Sequence, residues 1–296
     1  MKRADIKTGF LCNNACIFCV QGREKKQFGN KSANEVKKIL KQASRDCDGV
    51  VFTGGEPTVR KDILSLVSYA KKLGFKIIQI QSNGRMFAYK DFCKKIIKAG
   101  ANEFALALHG HIPQLHNYST GSESFFQTVS GIKNLVELKQ PVITNTVITK
   151  SNYRHLPEIT KLLIGLEVAQ SQLAFVHAVG DAGFNFDRVV PRISLVIPYI
   201  KKSIEIGSHF GKKIMVETIT PCFLPGLEDH ISEEFIPKTK IFDYDYVIND
   251  YKKSRINSGK AKGPNCQKCK MNDYCEGPWK DYPQAFGWEE FKPIVK

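Results

Sequence analysis

From Asp5 to Ala178, short β-branched or aromatic runs alternate with longer amphipathic runs, and this alternation limits the fold more than any other feature. Alternating strands and helices imply βα units around a parallel sheet, whose strand carboxyl ends carry the functional loops. The strands are predicted at Asp5–Thr8, Val50–Thr53, Lys76–Gln81, Glu103–Leu108, Val142–Thr149 and Gln172–His177. The helices are predicted at Ala33–Ala43, Asp62–Leu73, Ala88–Ala99, Ser124–Leu138, Arg154–Leu163 and Pro191–Ser208.

Three cysteines near the N-terminus, Cys12, Cys16 and Cys19, are separated by three residues and then by two, and Phe18 precedes the last. Thiolates this close can bind three irons of one four-iron cube and leave the fourth iron without a protein ligand. An open iron can bind a substrate or cosubstrate, which a fully ligated electron carrier cannot do. The alternatives are zinc or three unrelated buried thiols, but a closed zinc site needs four ligands and no His or Cys follows nearby.

A second motif, Gly54-Gly55-Glu56-Pro57, directly follows the strand-like run Gly49–Thr53. Two glycines at the carboxyl end of a strand allow a positive φ or a close approach of a ligand to the backbone. The carboxylate of Glu56 can accept a charge-assisted hydrogen bond from an ammonium group. Alone, such a turn is typical of ordinary loops, but here it lies one βα unit after the cysteine triplet.

Together the two motifs resemble those of the radical S-adenosylmethionine (radical SAM) superfamily. The resemblance implies a [4Fe–4S] cluster on the three cysteines, whose open iron chelates the amino and carboxylate groups of S-adenosylmethionine (SAM). It also implies an α/β fold, a partial (β/α)6 TIM-like barrel over residues 1–210. In this family a low-potential donor, ferredoxin or flavodoxin, reduces the cluster, and cleavage of SAM gives a 5′-deoxyadenosyl radical that abstracts hydrogen from a substrate.

The resemblance also assigns contacts with SAM. The glycine motif would hold the methionine amino group, and the backbone around the aromatic residue of the cysteine loop would approach the adenine. A small polar turn follows the third strand, and one polar residue interrupts the apolar fifth strand; each is either a SAM contact or a satisfied structural polar residue. The predicted contact residues are Phe18, Gly54, Gly55, Glu56, Pro57, Ser82, Asn83 and Asn145.

Other polar residues near strand ends have weaker assignments. His109, His111 and His116 are close in sequence, and their spacing favours the rim of a substrate cleft over a metal site. No acid/base pair can be read from the sequence, although His177 and Asp181 are candidates at the end of the sixth strand.

Beyond Gly211 the pattern changes, with a strand predicted at Lys212–Thr218 and then a region rich in aromatics, Pro and Asp. A Cys-x2-Cys-x5-Cys run there resembles the core of the auxiliary-cluster extension called SPASM and of its shorter relative, Twitch. Full SPASM continues with a cysteine where this chain has Trp279, so one Twitch-like site is expected, with a second [4Fe–4S] cluster or, alternatively, zinc. The predicted ligands are Cys222, Cys266, Cys269 and Cys275.

Composition narrows the class of protein. With 296 residues and 42% hydrophobic content, the chain can bury a large core. We expect a barrel at 1–210 and an auxiliary-cluster domain at 211–296. Nine cysteines, an odd number, favour metal ligation over disulfides, with Cys47 and Cys93 as packing residues. Neither a signal peptide nor a membrane span is predicted, so we expect a cytoplasmic metalloprotein.

The chain carries 44 Lys and Arg against 29 Asp and Glu, a formal net charge of +15. Because the lysines are spread over several helical stretches, a solvated surface is the simpler interpretation. The alternative is a dedicated site for an acidic partner such as nucleic acid, an acidic peptide or an acidic redox protein.

The substrate is the least constrained part of the prediction. Enzymes with this extension commonly modify peptides or proteins, so a peptide or protein side chain or backbone is expected. The first strand begins at about residue 5, which leaves no room before it for a fused leader-binding domain. RNA, such as tRNA, or a small metabolite is the second hypothesis, and the positive charge favours RNA. A non-catalytic zinc or iron–sulfur binding protein is the third.

Overall fold

The computed structural model describes residues 1–295, with the side chains of all of these except Arg23 and Lys26. The strands in this part of the chain are β1 Lys2–Lys7, β2 Gly49–Thr53, β3 Ile77–Ser82, β4 Glu103–Ala107, β5 Val142–Ile148, β6 Gln170–Phe175, β7 Ile214–Glu217, β8 Lys238–Phe242 and β9 Val247–Ile248. The α-helices are α1 Gly22–Gln27, α2 Ala33–Ala43, α3 Ile63–Lys72, α4 Lys90–Ala99, α5 Pro113–Thr120, α6 Phe125–Glu137, α7 Leu156–Gly165, α8 Asp181–Phe184, α9 Phe186–Val189, α10 Ile193–His209, α11 Tyr251–Ser254 and α12 Asp281–Phe286.

All of these strands belong to one sheet, in the order β7-β6-β5-β4-β3-β2-β1-β8-β9. Every neighbouring pair is parallel except β8 and β9, which are antiparallel. Among the described strands, β7 and β9 end the order without pairing to each other, so the sheet does not close. The prediction of an α/β fold with a partial (β/α)6 TIM-like barrel is confirmed.

The helices form where the sequence combines a cap with helical spacing of apolar residues. At the start of α2, the Glu35 N–H donates to the Ser32 hydroxyl at 3.2 Å, and the Ser32 N–H donates to the Glu35 carboxylate at 2.7 Å. Val36, Leu40 and Ala43 then recur on one face and are buried. The six predicted helices correspond to α2, α3, α4, α6, α7 and α10, with ends shifted by at most two residues. Among residues 1–295, every helix is too short or too polar to cross a lipid bilayer.

The two faces of the sheet differ in chemistry, since side chains alternate along each strand. One face packs against the helices and contributes residues such as Ile6 to the hydrophobic core. The other face is polar: Gln79 of β3 donates to Glu103 of β4, and Gln172 of β6 donates to Glu217 of β7. This polar inner face is the wall of the partial barrel.

Residues after α10 extend the sheet at both ends. The predicted strand Lys212–Thr218 is present as β7 beside β6, whereas β8 pairs in parallel with β1 and was not predicted. Helix α12 packs on the barrel, where the Tyr282 hydroxyl accepts from the Ile193 N–H at 2.7 Å and the Tyr282 ring lies 5.6 Å from that of Phe175. Strands from both sides of residue 210 share one sheet, and the domain division there stays a prediction.

Candidate functional site

The three N-terminal cysteines lie in the loop between β1 and α1, at the carboxyl end of β1. All three are partly buried free thiols, and the Cys19 N–H donates to the carbonyl of Cys16 at 3.1 Å. Burial, with Cys19 and Cys12 nearby, raises the pKa of the Cys16 thiol to about 12. The three thiols are therefore close enough to interact electrostatically. Because the thiolate is the form that binds metal, metal binding here must release protons.

The glycine motif lies directly against this loop, at the carboxyl end of β2. Gly54 has a φ of 124°, and a Cβ there would lie 2.2 Å from the carbonyl oxygen of Gly9. A Cβ at Gly55 would lie 2.4 Å from the carbonyl oxygen of Leu11, and the Gly55 N–H donates to the carbonyl of Gly9 at 2.7 Å. Since no side chain fits at either position, the two glycines allow the cysteine loop to lie against β2. The close approach that the motif predicts is made here by the chain itself.

The carboxylate of Glu56 is buried among four donors. Its Oε1 accepts from the Thr58 N–H at 3.0 Å, the Thr58 hydroxyl at 2.6 Å and the Ser82 hydroxyl at 2.8 Å, and its Oε2 accepts from the Asn83 N–H at 2.7 Å. Burial raises the pKa of Glu56, and these hydrogen bonds oppose the shift. Glu56 therefore holds the turn after β3, and Pro57–Val59 continues as a 3₁₀ turn. A direct contact between Glu56 and an ammonium group stays a prediction.

The turn after β3 is also tied to the cysteine loop. The Asn83 side-chain amide donates to Asn13 Oδ1 at 2.7 Å. Arg85 donates from Nη1 to the carbonyl oxygen of Asn13 and, at 3.0 Å, to Asn14 Oδ1; its Nε donates to Gln127 Oε1 at 2.7 Å. The sequence gives no sign of this role for Arg85, because the position of an arginine just beyond a turn does not show what its side chain will contact.

Two further predicted contact residues, Asn145 and Phe18, have different surroundings. Asn145 lies on the inner face of β5, opposite Gln172 of β6, and its Oδ1 is buried without a hydrogen-bond partner in the protein. An orphaned buried acceptor suits a ligand that donates to it. Phe18 is buried, and its ring lies edge-on to that of His109 at 4.7 Å between centroids. Its ring is therefore used in packing, which leaves its backbone for a ligand.

The three histidines expected at a cleft rim do not lie together there. His109 and His116 are buried: His109 Nδ1 accepts from the Val147 N–H at 3.2 Å, and His116 Nδ1 accepts from the His109 N–H at 3.1 Å. Burial, and then His116, lowers the pKa of His109 to about 3, and burial lowers that of His116 to about 4, so both are neutral. The rim interpretation is wrong for these two. His111 instead lies beside His155, with ring centroids 5.3 Å apart.

His177 follows β6 and contacts two C-terminal residues. Its Nε2 lies 3.5 Å from Asp281 Oδ1, and its ring stacks on Trp279 with centroids 3.9 Å apart. Burial alone would raise the pKa of Asp281, but His177 and the Ala178 N–H, which donates to Oδ2 at 3.0 Å, hold it below its usual range. The other acid/base candidate, Asp181, is elsewhere: its N–H donates to a carbonyl of the cysteine loop at 2.8 Å.

The four C-terminal cysteines line one small cavity, together with Pro278 and Phe291. The Gly277 N–H donates to the sulfur of Cys275 at 3.3 Å. Burial raises the pKa of the Cys275 thiol to about 11, with Cys222 nearby adding to the shift. The structure therefore brings together the predicted ligands Cys222, Cys266, Cys269 and Cys275.

A second cavity, of about 250 Å³, adjoins the first and shares Cys275 with it. Two of its wall residues are in ion pairs: Glu233 lies 3.4 Å from Lys260, and Glu276 lies 2.6 Å from Arg255. Although the chain has a net positive charge, the wall of this cavity is acidic. Its carboxylates are Glu228, Asp229, Glu233, Glu234 and Glu276.

The donor atoms available for metal are thiols in both cysteine groups. Among residues 1–295, no three His, Cys, Asp or Glu side chains stand ready around a single metal ion. Tetrahedral zinc would require its thiolates about 3.8 Å apart, given Zn–S bonds of about 2.3 Å. In an iron–sulfur cube each thiolate binds a different iron, so the sulfurs do not converge on one point. An all-thiol donor set fits such a cluster at either group.

Comparison with known proteins gives one family match and a set of relatives. A family model described as "Radical SAM superfamily" matches residues 6–163. A "Probable GTP 3′,8-cyclase" of Saccharolobus islandicus (strain L.S.2.15 / Lassen #1) is 30% identical over 222 residues, which cover 71% of this chain and 71% of that protein. A protein of the same description from Sulfurisphaera tokodaii is 26% identical over 221 residues, covering 71% and 70%.

Solved structures share the fold at low sequence identity. Streptococcus suis SuiB bound to the precursor peptide SuiA has a TM-score of 0.71 and 16% identity, covering 99% of this chain and 74% of that one. Native anSMEcpe with bound AdoMet has a TM-score of 0.69 and 13% identity, covering 100% and 93%. At these identities the similarity establishes the fold alone.

Proposed function

This chain belongs to the radical SAM superfamily, and we propose that it modifies a side-chain or backbone carbon of a peptide or protein. It is an enzyme, and membership of this superfamily implies SAM and a [4Fe–4S] cluster. When bound, the reduced cluster and SAM supply a 5′-deoxyadenosyl radical that abstracts hydrogen from an unactivated carbon. The chain's own residues bind these groups, orient the substrate and exclude water.

We assign the first cluster to Cys12, Cys16 and Cys19. The interaction among their thiols and the close fit of Gly54 and Gly55 against the loop support this assignment. The orphaned Oδ1 of Asn145 and the backbone near Phe18 support contacts with SAM. We assign to the same SAM site the residues Phe18, Gly54, Gly55, Glu56, Pro57, Ser82, Asn83 and Asn145.

We assign an auxiliary [4Fe–4S] cluster to Cys222, Cys266, Cys269 and Cys275, in a Twitch-like C-terminal domain over 211–296. Four thiols around one cavity supply a complete ligand set, so this cluster would have no open iron. A closed cluster of this kind carries electrons or stabilises the domain. Zinc on the same four thiols is the alternative, and metal analysis distinguishes the two.

The observation that carries the peptide proposal is the pairing of charges around the inner face. Three cations there contact carboxylates: Arg3 lies 3.0 Å from Asp5, Lys7 contacts Asp243, and Lys260 lies 3.4 Å from Glu233. A triphosphate needs cations that are free to bind its oxygens. The acidic wall of the adjoining cavity would repel such a ligand further, whereas a neutral or basic peptide suits both surfaces.

A purine nucleotide is the second candidate substrate. Relatives described as probable GTP 3′,8-cyclases, one of them 30% identical over 71% of the chain, favour it. In such a reaction the ion-paired cations near the inner face would have to exchange their carboxylates for phosphates. RNA remains a third candidate, supported only by the net charge of +15.

The test uses the full-length protein, reconstituted with iron and sulfide without oxygen and supplied with SAM and a chemical reductant. A peptide fraction from the source organism is compared with GTP, and 5′-deoxyadenosine and product masses are measured. The proposal predicts nucleoside release stimulated by peptides, with a mass shift in a peptide. Stimulation by GTP, with conversion of GTP and no change in any peptide, would establish the second candidate instead.

We expect the physiological reductant to be a low-potential donor, ferredoxin or flavodoxin. The net charge of +15 favours association with an acidic redox protein. All nine cysteines are free thiols, which suits a reducing cytoplasm.

A further inference from the structure

The peptide group between Asn13 and Asn14 makes a hydrogen bond at each end. Its N–H, which belongs to Asn14, donates to the sulfur of Cys12 at 3.4 Å. Its carbonyl oxygen, which belongs to Asn13, accepts from the guanidinium of Arg85. Because the peptide group is planar, a contact that fixes the oxygen also fixes the direction of the N–H. Arg85 therefore acts on the sulfur through one rigid group.

The guanidinium of Arg85 is itself fixed from several directions. Its Nε donates to Gln127 of α6 at 2.7 Å, and its Nη1 donates to Asn14 Oδ1 at 3.0 Å. Arg85 directly follows Gly84, which has a φ of 85°. Helix α6 packs tightly on this turn, since a Cβ at Gly131 would lie 2.4 Å from the carbonyl oxygen of Gly84. The cation consequently has little freedom to leave the peptide oxygen.

We propose that Arg85 is a positioning residue that aims and polarises the Asn14 N–H toward Cys12, and thereby raises the reduction potential of the cluster. A cation at the carbonyl oxygen draws electron density from the N–H, which makes it a stronger donor to a thiolate. Hydrogen bonds to ligand sulfurs and nearby charges help to set iron–sulfur potentials. The inference rests on the proposed cluster at Cys12, Cys16 and Cys19.

The test is a redox titration of the reconstituted full-length protein, followed by electron paramagnetic resonance. The signal that changes on addition of SAM belongs to the open cluster, so the auxiliary cluster does not confuse the measurement. Three variants are compared with the wild type. Arg85→Met removes charge and hydrogen bonds, Arg85→Lys keeps the charge, and Arg188→Met removes a control arginine that donates to the Tyr118 hydroxyl at 2.8 Å.

For Arg85→Met we expect the reduced-to-oxidised ratio at a fixed solution potential to fall about tenfold, which corresponds to 59 mV for one electron. The ratio should fall less in Arg85→Lys, and in Arg188→Met it should equal that of the wild type. Iron content and thermal melting are measured in parallel. A variant that melts like the wild type but loses only the SAM-sensitive cluster overturns the inference, because Arg85 would then hold the loop and not tune the potential.

An unchanged or higher potential in Arg85→Met with full iron content overturns the inference. If that variant does not fold, Arg85→Gln keeps a donor but removes the charge, and an unchanged potential there overturns it as well. Failure of the proposed function looks different: the wild type itself would then show no SAM-sensitive cluster signal.

Discussion

The indole ring of Trp279 lies parallel to the imidazole ring of His177, with centroids 3.9 Å apart and 7° between the planes. The ammonium group of Lys260 lies 4.4 Å from the indole centroid, and a backbone bridge pairs Lys260 with Trp279. Trp279 stands where a two-cluster extension would carry a cysteine, four residues after Cys275. Trp279, which occupies the position of that cysteine, therefore packs the C-terminal cysteine region against the carboxyl end of β6.

His177 also contacts Asp281, and this contact should make the stability of the protein depend on pH in the acid range. Asp281→Asn removes the charged partner of His177 and should cost about 1 kcal/mol of unfolding free energy at pH 7. The folded-state pKa of Asp281 is depressed, so its stabilising contribution is fully present above its ordinary value near 4 and is lost as pH falls through the folded value. Urea titrations of the metal-free protein should show a smaller difference between wild type and variant at pH 3 than at pH 7.

The control for this experiment is Asp229→Asn, which changes an exposed carboxylate in the same way. It should leave the unfolding free energy close to that of the wild type at both pH values. A difference between wild type and Asp281→Asn that stays constant from pH 7 to pH 3 would show that the His177 contact carries no charge effect.

The glycine motif allows a matched test of close packing. Gly55→Ala places a Cβ 2.4 Å from the carbonyl oxygen of Leu11, so the cysteine loop must move. We expect a loss of about 1–3 kcal/mol in stability, typical of overpacking, and reduced iron retention at the N-terminal site. In Gly29→Ala the new Cβ meets nothing within 4 Å, so this variant should retain iron and stability. Equal behaviour of the two variants would refute the steric argument.

Glu56 offers a test of hydrogen bonding in the same region. Glu56→Gln keeps the shape of the side chain but replaces one carboxylate oxygen by an NH2 group. This group cannot accept a hydrogen bond, so at least one of the groups that donate to Glu56 loses its acceptor. Leaving buried polar groups unpaired should cost about 1–3 kcal/mol. Chemical denaturation measures the loss, and the exposed Glu137→Gln, whose carboxylate pairs with Lys90, should show none. Wild-type stability in Glu56→Gln would mean that these hydrogen bonds are unimportant.

The sequence predicts those parts of the fold in which the spacing of apolar residues along the chain identifies a strand or a helix. The six βα units were recognisable because apolar spacing changes from strand-like to helical within each unit, and all six strands and helices are present. Strand β8, at Lys238–Phe242, was missed because only its last two residues are apolar and no long helix pattern follows it. Its position beside β1 depends on tertiary packing, which a local pattern does not encode.

Within the candidate site, the sequence predicts residue types better than their surroundings. Cys222 was grouped with the distant C-terminal cysteines by counting ligands, and the structure places all four around one cavity. The histidines at 109 and 116 were assigned to a rim, because spacing alone does not show that a strand-end side chain turns into the core. Arg85 was not assigned at all, since its contacts are with residues more than 40 positions away in either direction.

Metal analysis of cysteine variants tests both proposed clusters together. Replacing Cys12, Cys16 and Cys19 by Ala should lower the iron content from about eight to about four per chain and abolish 5′-deoxyadenosine formation, since each cube holds four irons. Burial raises the pKa of Cys47 and of Cys93 to about 11, which keeps these thiols protonated, so replacing this pair by Ala should leave the iron content unchanged. About one zinc in place of the last four irons would identify the C-terminal site as zinc, and iron unaffected by the triple change would disprove the N-terminal cluster.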